Sequence, residues 1–139
     1  MVYLDTSALY KLVIDEQNSV EFRQYVQNLI DDGFTLVSSI LAETELKRIA
    51  QRDNVPVSTI EGLLSFVNLI EISKVEFIRA GNISTEHSKA LRSLDALHIA
   101  SAELVKIDFV ITFDNRQALV FKDLGYKVHQ HIFVRSETD

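Results

Sequence analysis

Short apolar runs that stop at a polar residue and hand over to a helix-period stretch constrain the fold of this chain most. Val2-Tyr3-Leu4 stops at Asp5-Thr6-Ser7, and Ala8 to Ile14 then places Leu9, Leu12 and Val13 on one helical face. Thr35 to Ser38 runs into a helical pattern from Ile40 to Arg52, and Phe109 to Thr112 is followed within a few residues by one from Asn115 to Leu124. Runs this short and uniformly apolar read as buried strands. Strands alternating with helices imply an α/β fold with a mainly parallel sheet between two helical layers.

The remaining segments fit the same alternation. Asn18 or Ser19 can cap a helix carrying Val20, Phe22, Val26, Leu29 and Ile30, and Gly33 suits the left-handed position that closes it. Asp53-Asn54-Val55-Pro56 breaks the chain before a helix from Ser58 to Phe66, and Leu69 to Ile72 is a possible short strand. Val75 to Ser88 reads as a helix interrupted at Gly81-Asn82. Leu91 to Lys106 is a strong alanine-rich helix, and Lys127 to His129 a last short strand. A single domain is expected over residues 1–135, with 136–139 as a frayed tail.

Composition excludes several classes. The 139 residues include no cysteine, which removes disulfides, zinc–thiolate sites and cysteine nucleophiles and suits a reducing cytoplasm. The first residues lack the basic and long apolar segments of a signal peptide, and no apolar run approaches a membrane span. A cytoplasmic protein is expected. The net charge of −6 counts against a broad nucleic-acid-binding surface, although acids gathered around divalent cations would contribute to that charge.

Four acids stand out. Asp5 and Asp114 follow apolar strands, at the strand ends where open parallel sheets bind ligands. Glu45 lies between Leu41 and Ile49, and Asp95 between Leu91 and Ile99, so each interrupts an apolar helical row where a lone carboxylate is costly. Each has an ordinary alternative. Asp5, Thr6 or Ser7 can cap the first helix, Asp95 can favour a helix N-terminus, and Asp114 with Gln117 resembles a capping box. Glu43 pairs with Lys47 one turn on, as a surface glutamate would, whereas Glu45 has no such i+4 partner. With Thr6 or Ser7 taking the cap, Asp5 is expected to stay available. His98, one turn after Asp95, reads more naturally as a core or supporting residue than as a ligand. Several carboxylates in one pocket repel one another, and oxygen-only ligation selects Mg²⁺ or Mn²⁺.

These residues carry a family resemblance. Tyr3-Leu4-Asp5-Thr6-Ser7-Ala8-Leu9, Ser38 to Leu46, Leu91 to Ala102 with its Leu94-Asp95-Ala96-Leu97-His98-Ile99-Ala100 core, and Val110 to Asn115 match in order and spacing. Together they resemble the PIN-domain ribonucleases, most closely the VapC-type toxins of bacterial toxin–antitoxin pairs. The resemblance implies a PIN-like three-layer α/β/α sandwich. It also implies catalytic acids at Asp5, Glu45, Asp95 and Asp114, with Asp5, Asp95 and Asp114 on the metal and Thr6 and Thr112 in support.

By the same resemblance, a Mg²⁺- or Mn²⁺-dependent endoribonuclease is expected, acting on an RNA substrate as a homodimer and blocked by a cognate antitoxin. Lys11, Arg92 and Arg116 are candidate cations for substrate. A catalytically silent PIN-like module binding RNA or protein is the alternative. Aspartyl phosphotransfer of the haloacid-dehalogenase kind would want an acid where Ser7 stands, and a dinucleotide fold would want a glycine-rich loop after the first strand.

Overall fold

The computed structural model describes residues 1–87 and 91–129, without the side chains of 84–87. In chain order the elements are β1 (Val2–Leu4), α1 (Thr6–Lys11), α2 (Ser19–Asp31), β2 (Leu36–Ser39), α3 (Leu41–Arg52), α4 (Val57–Leu64) and β3 (Asn68–Ile70). There follow α5 (Lys74–His87), α6 (Ser93–Ala102), β4 (Phe109–Ile111), α7 (Asn115–Asp123) and β5 (Val128–His129). The expected tail lies outside the described residues.

The strands form one parallel sheet in the order β3-β2-β1-β4-β5. Side-chain alternation along each strand sends residues to opposite faces. Val2, Leu4, Leu36, Phe109 and Ile111 join one core with Leu9, Phe22, Leu46 and Ile60. Tyr3, Val37 and Val110 enter a second core with Ile83, Leu97, Ile99 and Phe121. The result is three layers, with α1, α2 and α4 on one face and α5, α6 and α7 on the other. Each fully buried Leu or Ile contributes about 1.5–3 kcal/mol to this packing.

The strand order places the functional lip. From β1 the chain winds outward through β2 to β3, then returns across the other face to lay β4 on the opposite side of β1. Such a reversal opens a crevice beyond the strand C-termini. The register pairs Leu4 with Ile111, so the next residues along, Asp5 and Thr112, stand side by side at that lip.

Several local expectations are refined. Gly33 and Gly125 take φ of +93° and +92°, and each closes its helix by the same pair of bonds. Gly33 N–H reaches the Ile30 carbonyl and Phe34 N–H that of Leu29, while Gly125 and Tyr126 repeat this with Lys122 and Phe121. Asn18 sits at the start of α2 with φ 69° but makes no side-chain cap bond; Ser19 Oγ instead accepts from Glu16 N–H at 2.9 Å. The first helix begins at Thr6 and ends at Lys11, with Leu12 and Val13 packed against the core from the following turn. α5 runs through Gly81-Asn82 without interruption. Gly81 has no positive φ, and the packing of Ala80 and Ile83 into the second core outweighs its weak helix propensity.

Candidate active site

A cleft of about 580 Å³ opens at this lip, and Asp5, Glu45, Asp95 and Asp114 all line it. They come from four places: the loop after β1, the middle of α3, the first turn of α6 and the start of α7. Glu43 lies elsewhere, paired with Lys47 at 3.1 Å on the helix surface as its spacing predicts.

Asp5 is 2% exposed and is itself the N-cap of α1, which corrects the expectation that Thr6 or Ser7 would take that duty. Its Oδ1 accepts from Ala8 N–H at 3.0 Å and from Ser7 Oγ at 2.6 Å, and its Oδ2 accepts from Thr112 Oγ1. Ser7 cannot cap because its hydroxyl donates to Asp5 and accepts from Phe113 N–H at 3.0 Å. The Thr6 hydroxyl turns toward α3 and donates to Glu45 Oε1 at 2.9 Å. Burial pushes the Asp5 carboxyl above its ordinary range, against the opposing pull of His98 and the bonds from Ser7, Thr112 and Ala8.

Asp114 caps α7 by accepting from Gln117 N–H at 3.0 Å, and its own N–H donates to Thr112 Oγ1 at 3.0 Å. Thr112, wholly buried, therefore ties Asp5 to the backbone of Asp114. Only half of the expected capping box forms. The Gln117 side chain donates instead to the Asp95 carbonyl at 3.0 Å, fastening α7 to α6 across the cleft floor.

Asp95 differs from the other three. Its Oδ2 is buried and has no hydrogen-bond partner. Arg92 Nε stands 3.7 Å away, but the Arg92 side chain is 76% exposed and its charge is well screened. Burial first, then the negative charge of Asp114, push the Asp95 carboxyl above its ordinary range. Burial would also raise Glu45, but the hydrogen bond from His98, helped by the Thr6 hydroxyl and the charge of Arg92, holds it below the usual carboxylate range.

The donor set suits a hard divalent cation. It is all oxygen, it carries mutual repulsion, and it leaves one buried carboxylate oxygen unsatisfied. Among the described residues, no three Asp, Glu or His side chains already close around one point as a finished metal site.

Of the three cations singled out in the sequence, Arg92 lines the cleft. Lys11 is held by Glu16 at 3.0 Å, and Arg116 stands in the first turn of α7 outside the lining. Arg52 does line it, and sequence reasoning missed it. The signal was present: Glu45, Ile49 and Arg52 are spaced i, i+4, i+7, one face of α3. Arg52 is paired with Asp53 at 2.9 Å, and Asp53 also accepts from the Tyr10 hydroxyl at 2.6 Å. No helix among the described residues is long and apolar enough to cross a membrane.

Known proteins resemble this chain in sequence and in fold. The PIN domain family matches residues 2–122. Ribonuclease VapC47 of Mycobacterium tuberculosis is 31% identical over 130 residues, covering 91% of this chain and 93% of its own. Ribonuclease VapC46 of the same species is 30% identical over 130 residues, covering 91% and 95%. Among solved structures, a toxin–antitoxin complex from Klebsiella pneumoniae superposes with a TM-score of 0.71 at 20% identity, over 94% of this chain and 97% of that one. VapC20 of M. tuberculosis, described as a sarcin-ricin loop cleaving toxin, superposes with a TM-score of 0.70 at 15% identity, over 98% and 100%. At those identities the two structures speak for the fold. The chain belongs to the PIN domain family and, within it, to the VapC ribonucleases.

Proposed function

We propose that this protein is the toxin of a toxin–antitoxin pair, a Mg²⁺- or Mn²⁺-dependent endoribonuclease that hydrolyses RNA phosphodiester bonds in the cytoplasm. The observation that carries the reading is the convergence of Asp5, Glu45, Asp95 and Asp114 on one cleft, with Asp95 Oδ2 buried and without a hydrogen bond. The VapC ribonucleases it resembles over most of its length support RNA as substrate. The toxin–antitoxin complex of like fold supports an antitoxin partner, and the toxin would act as a homodimer, as the family resemblance implies.

Asp5, Asp95 and Asp114 would hold the cation. Bound there, it would polarise a phosphate oxygen and acidify water, supplying the nucleophile at neutral pH. The protein's own groups provide the geometry. Thr112, Ser7 and Ala8 fix the Asp5 carboxylate from both oxygens. Gln117 anchors the Asp95 backbone, and the α7 cap fixes Asp114. Glu45, kept ionised by its bonds from His98 and Thr6, would accept a hydrogen bond from the attacking water and orient it. Arg92 and Arg52, which line the cleft, would meet the phosphates of the substrate.

Purified protein given a structured RNA and Mn²⁺ should yield 5′-phosphate and 3′-hydroxyl ends, and EDTA or Asp95→Asn should abolish cleavage. Cyclic phosphate ends, which require attack by the ribose 2′-OH, would refute this mechanism, as would cleavage that persists in EDTA.

A further inference from the structure

His98 is 1% exposed and lies one turn after Asp95 on α6, and none of the steps above uses it to touch substrate. Its two ring nitrogens meet partners from different parts of the fold. Nδ1 is 2.7 Å from the Tyr3 hydroxyl on β1, while Nε2 is 2.7 Å from Glu45 Oε1 on α3 and 3.1 Å from Thr6 Oγ1.

Counting hydrogens gives the direction of the bond to Glu45. The single hydroxyl hydrogen of Thr6 goes to Glu45 Oε1. A carboxylate has none to give, so His98 Nε2 must carry a hydrogen and donate it to Glu45. In a neutral imidazole Nδ1 is then a bare acceptor, and Tyr3 donates into it. The Tyr3 ring is itself fully buried and packs edge-on against His98 at 6.1 Å and against Phe121 at 6.1 Å, so its hydroxyl has little freedom to turn away.

We propose that Tyr3 and His98 are positioning residues for cleavage: Tyr3 selects the Nε2–H tautomer of His98, and His98 uses that hydrogen to fix the Glu45 carboxylate at the cleft wall. The proposal rests on the reading of Glu45 as the group that orients water. It explains a feature of the fold. α3 carries Glu45 over one core and α6 carries His98 over the other, so this hydrogen bond joins the two helical layers above the end of β1. A long glutamate on a helix has several rotamers, and two donors converging on Oε1 leave it one.

The test combines RNA cleavage in Mn²⁺ with ¹⁵N-histidine NMR of the metal-free protein. The wild-type His98 should show a protonated Nε2 and a bare Nδ1, and Tyr3→Phe should mix the tautomers. His98→Phe should lower kcat about 10–100-fold with KM little changed, the usual scale for losing a partner behind a site residue. His98→Gln, whose amide nitrogen reaches about as far as Nε2, should restore most of that loss, whereas His98→Asn, one carbon shorter, should not. The His98→Gln and His98→Asn pair carries the contrast even if the phenylalanine variant fails to fold.

A wild-type Nδ1–H tautomer would overturn the proposal. So would full kcat in His98→Asn alongside lost kcat in Glu45→Gln. Full kcat in Glu45→Gln would instead strike the underlying role of Glu45, which keeps the two failures distinct.

Discussion

Replacing Asp95 by Asn should make the metal-free protein more stable while removing its activity. Asp95 Oδ2 is buried without a hydrogen-bond partner, and its carboxyl feels both burial and the charge of Asp114. A buried unsatisfied polar group costs about 1–3 kcal/mol and a charged one more, so the neutral amide of Asn removes only the excess that belongs to the charge. Against this, the pair with the largely exposed Arg92 at 3.7 Å contributes at most about 1 kcal/mol. Loss of the charge should therefore leave a net gain of about 1 kcal/mol, set by the balance of those two effects. For a chain of this size that is a rise in Tm of about 3–5 °C.

The sign with pH follows from the raised carboxyl. The folded protein takes up this proton at higher pH than the unfolded chain, so the charged form costs stability above the folded value, and the cost disappears as pH falls through it. The advantage of Asp95→Asn should accordingly close on acidification. Cation binding should reverse the order at neutral pH. Saturation at about 100 times the dissociation constant adds about 2.7 kcal/mol to whichever protein binds, and only the wild type keeps the full ligand set. Calorimetry of both proteins in EDTA and in Mn²⁺ reads all of this. A variant less stable than wild type in EDTA, or equally stabilised by Mn²⁺, would refute the account of Asp95 as a strained ligand.

Thr112→Val keeps shape but deletes the donor to Asp5 and the acceptor of Asp114 N–H, and should cost about 1–3 kcal/mol in urea unfolding together with a loss of cleavage. Gly33→Ala forces a side chain into φ +93° and should cost about 1–2 kcal/mol while leaving kcat unchanged, since the α2 turn lies away from the cleft. Burial and the bond to Asp53 push the Tyr10 phenol up to about 12, so the neutral hydroxyl is favoured in the fold. Its contribution should persist below the ordinary tyrosine range and be lost as pH rises through about 12, which phenolate absorbance reads by difference against Tyr10→Phe. His129, stacked on Phe109 at 4.1 Å and bonded to Tyr25 at 2.8 Å, is held below the ordinary histidine range by burial and by Lys127. Stability should therefore fall as pH drops below about 6.5, because the unfolded chain takes up that proton first; the fall should vanish in His129→Phe.

The strand–helix alternation, and with it the parallel sheet, was legible in the residue order, because short apolar runs bounded by polar residues and followed by helical periodicity suit buried parallel strands. The residue order also singled out Asp5, Glu45, Asp95 and Asp114, two by strand ends and two by their cost in apolar rows, and all four line one cleft. Gly33 was equally legible, since a glycine directly after a helical run suits the left-handed position that closes it.

Who bonds to whom across the lip is a matter of the folded arrangement alone. Strand periodicity cannot say that Thr112 stands beside Asp5, a matter of the β1–β4 register, nor that this neighbour leaves Asp5 as both helix cap and site residue. It cannot say that the Gln117 side chain leaves its own cap for the Asp95 carbonyl, or that His98 bridges Tyr3 and Glu45 between two layers. Those pairings span from 22 to 107 positions of sequence. They exist only because the sheet reverses its winding at β1 and brings the ends of distant elements to one crevice.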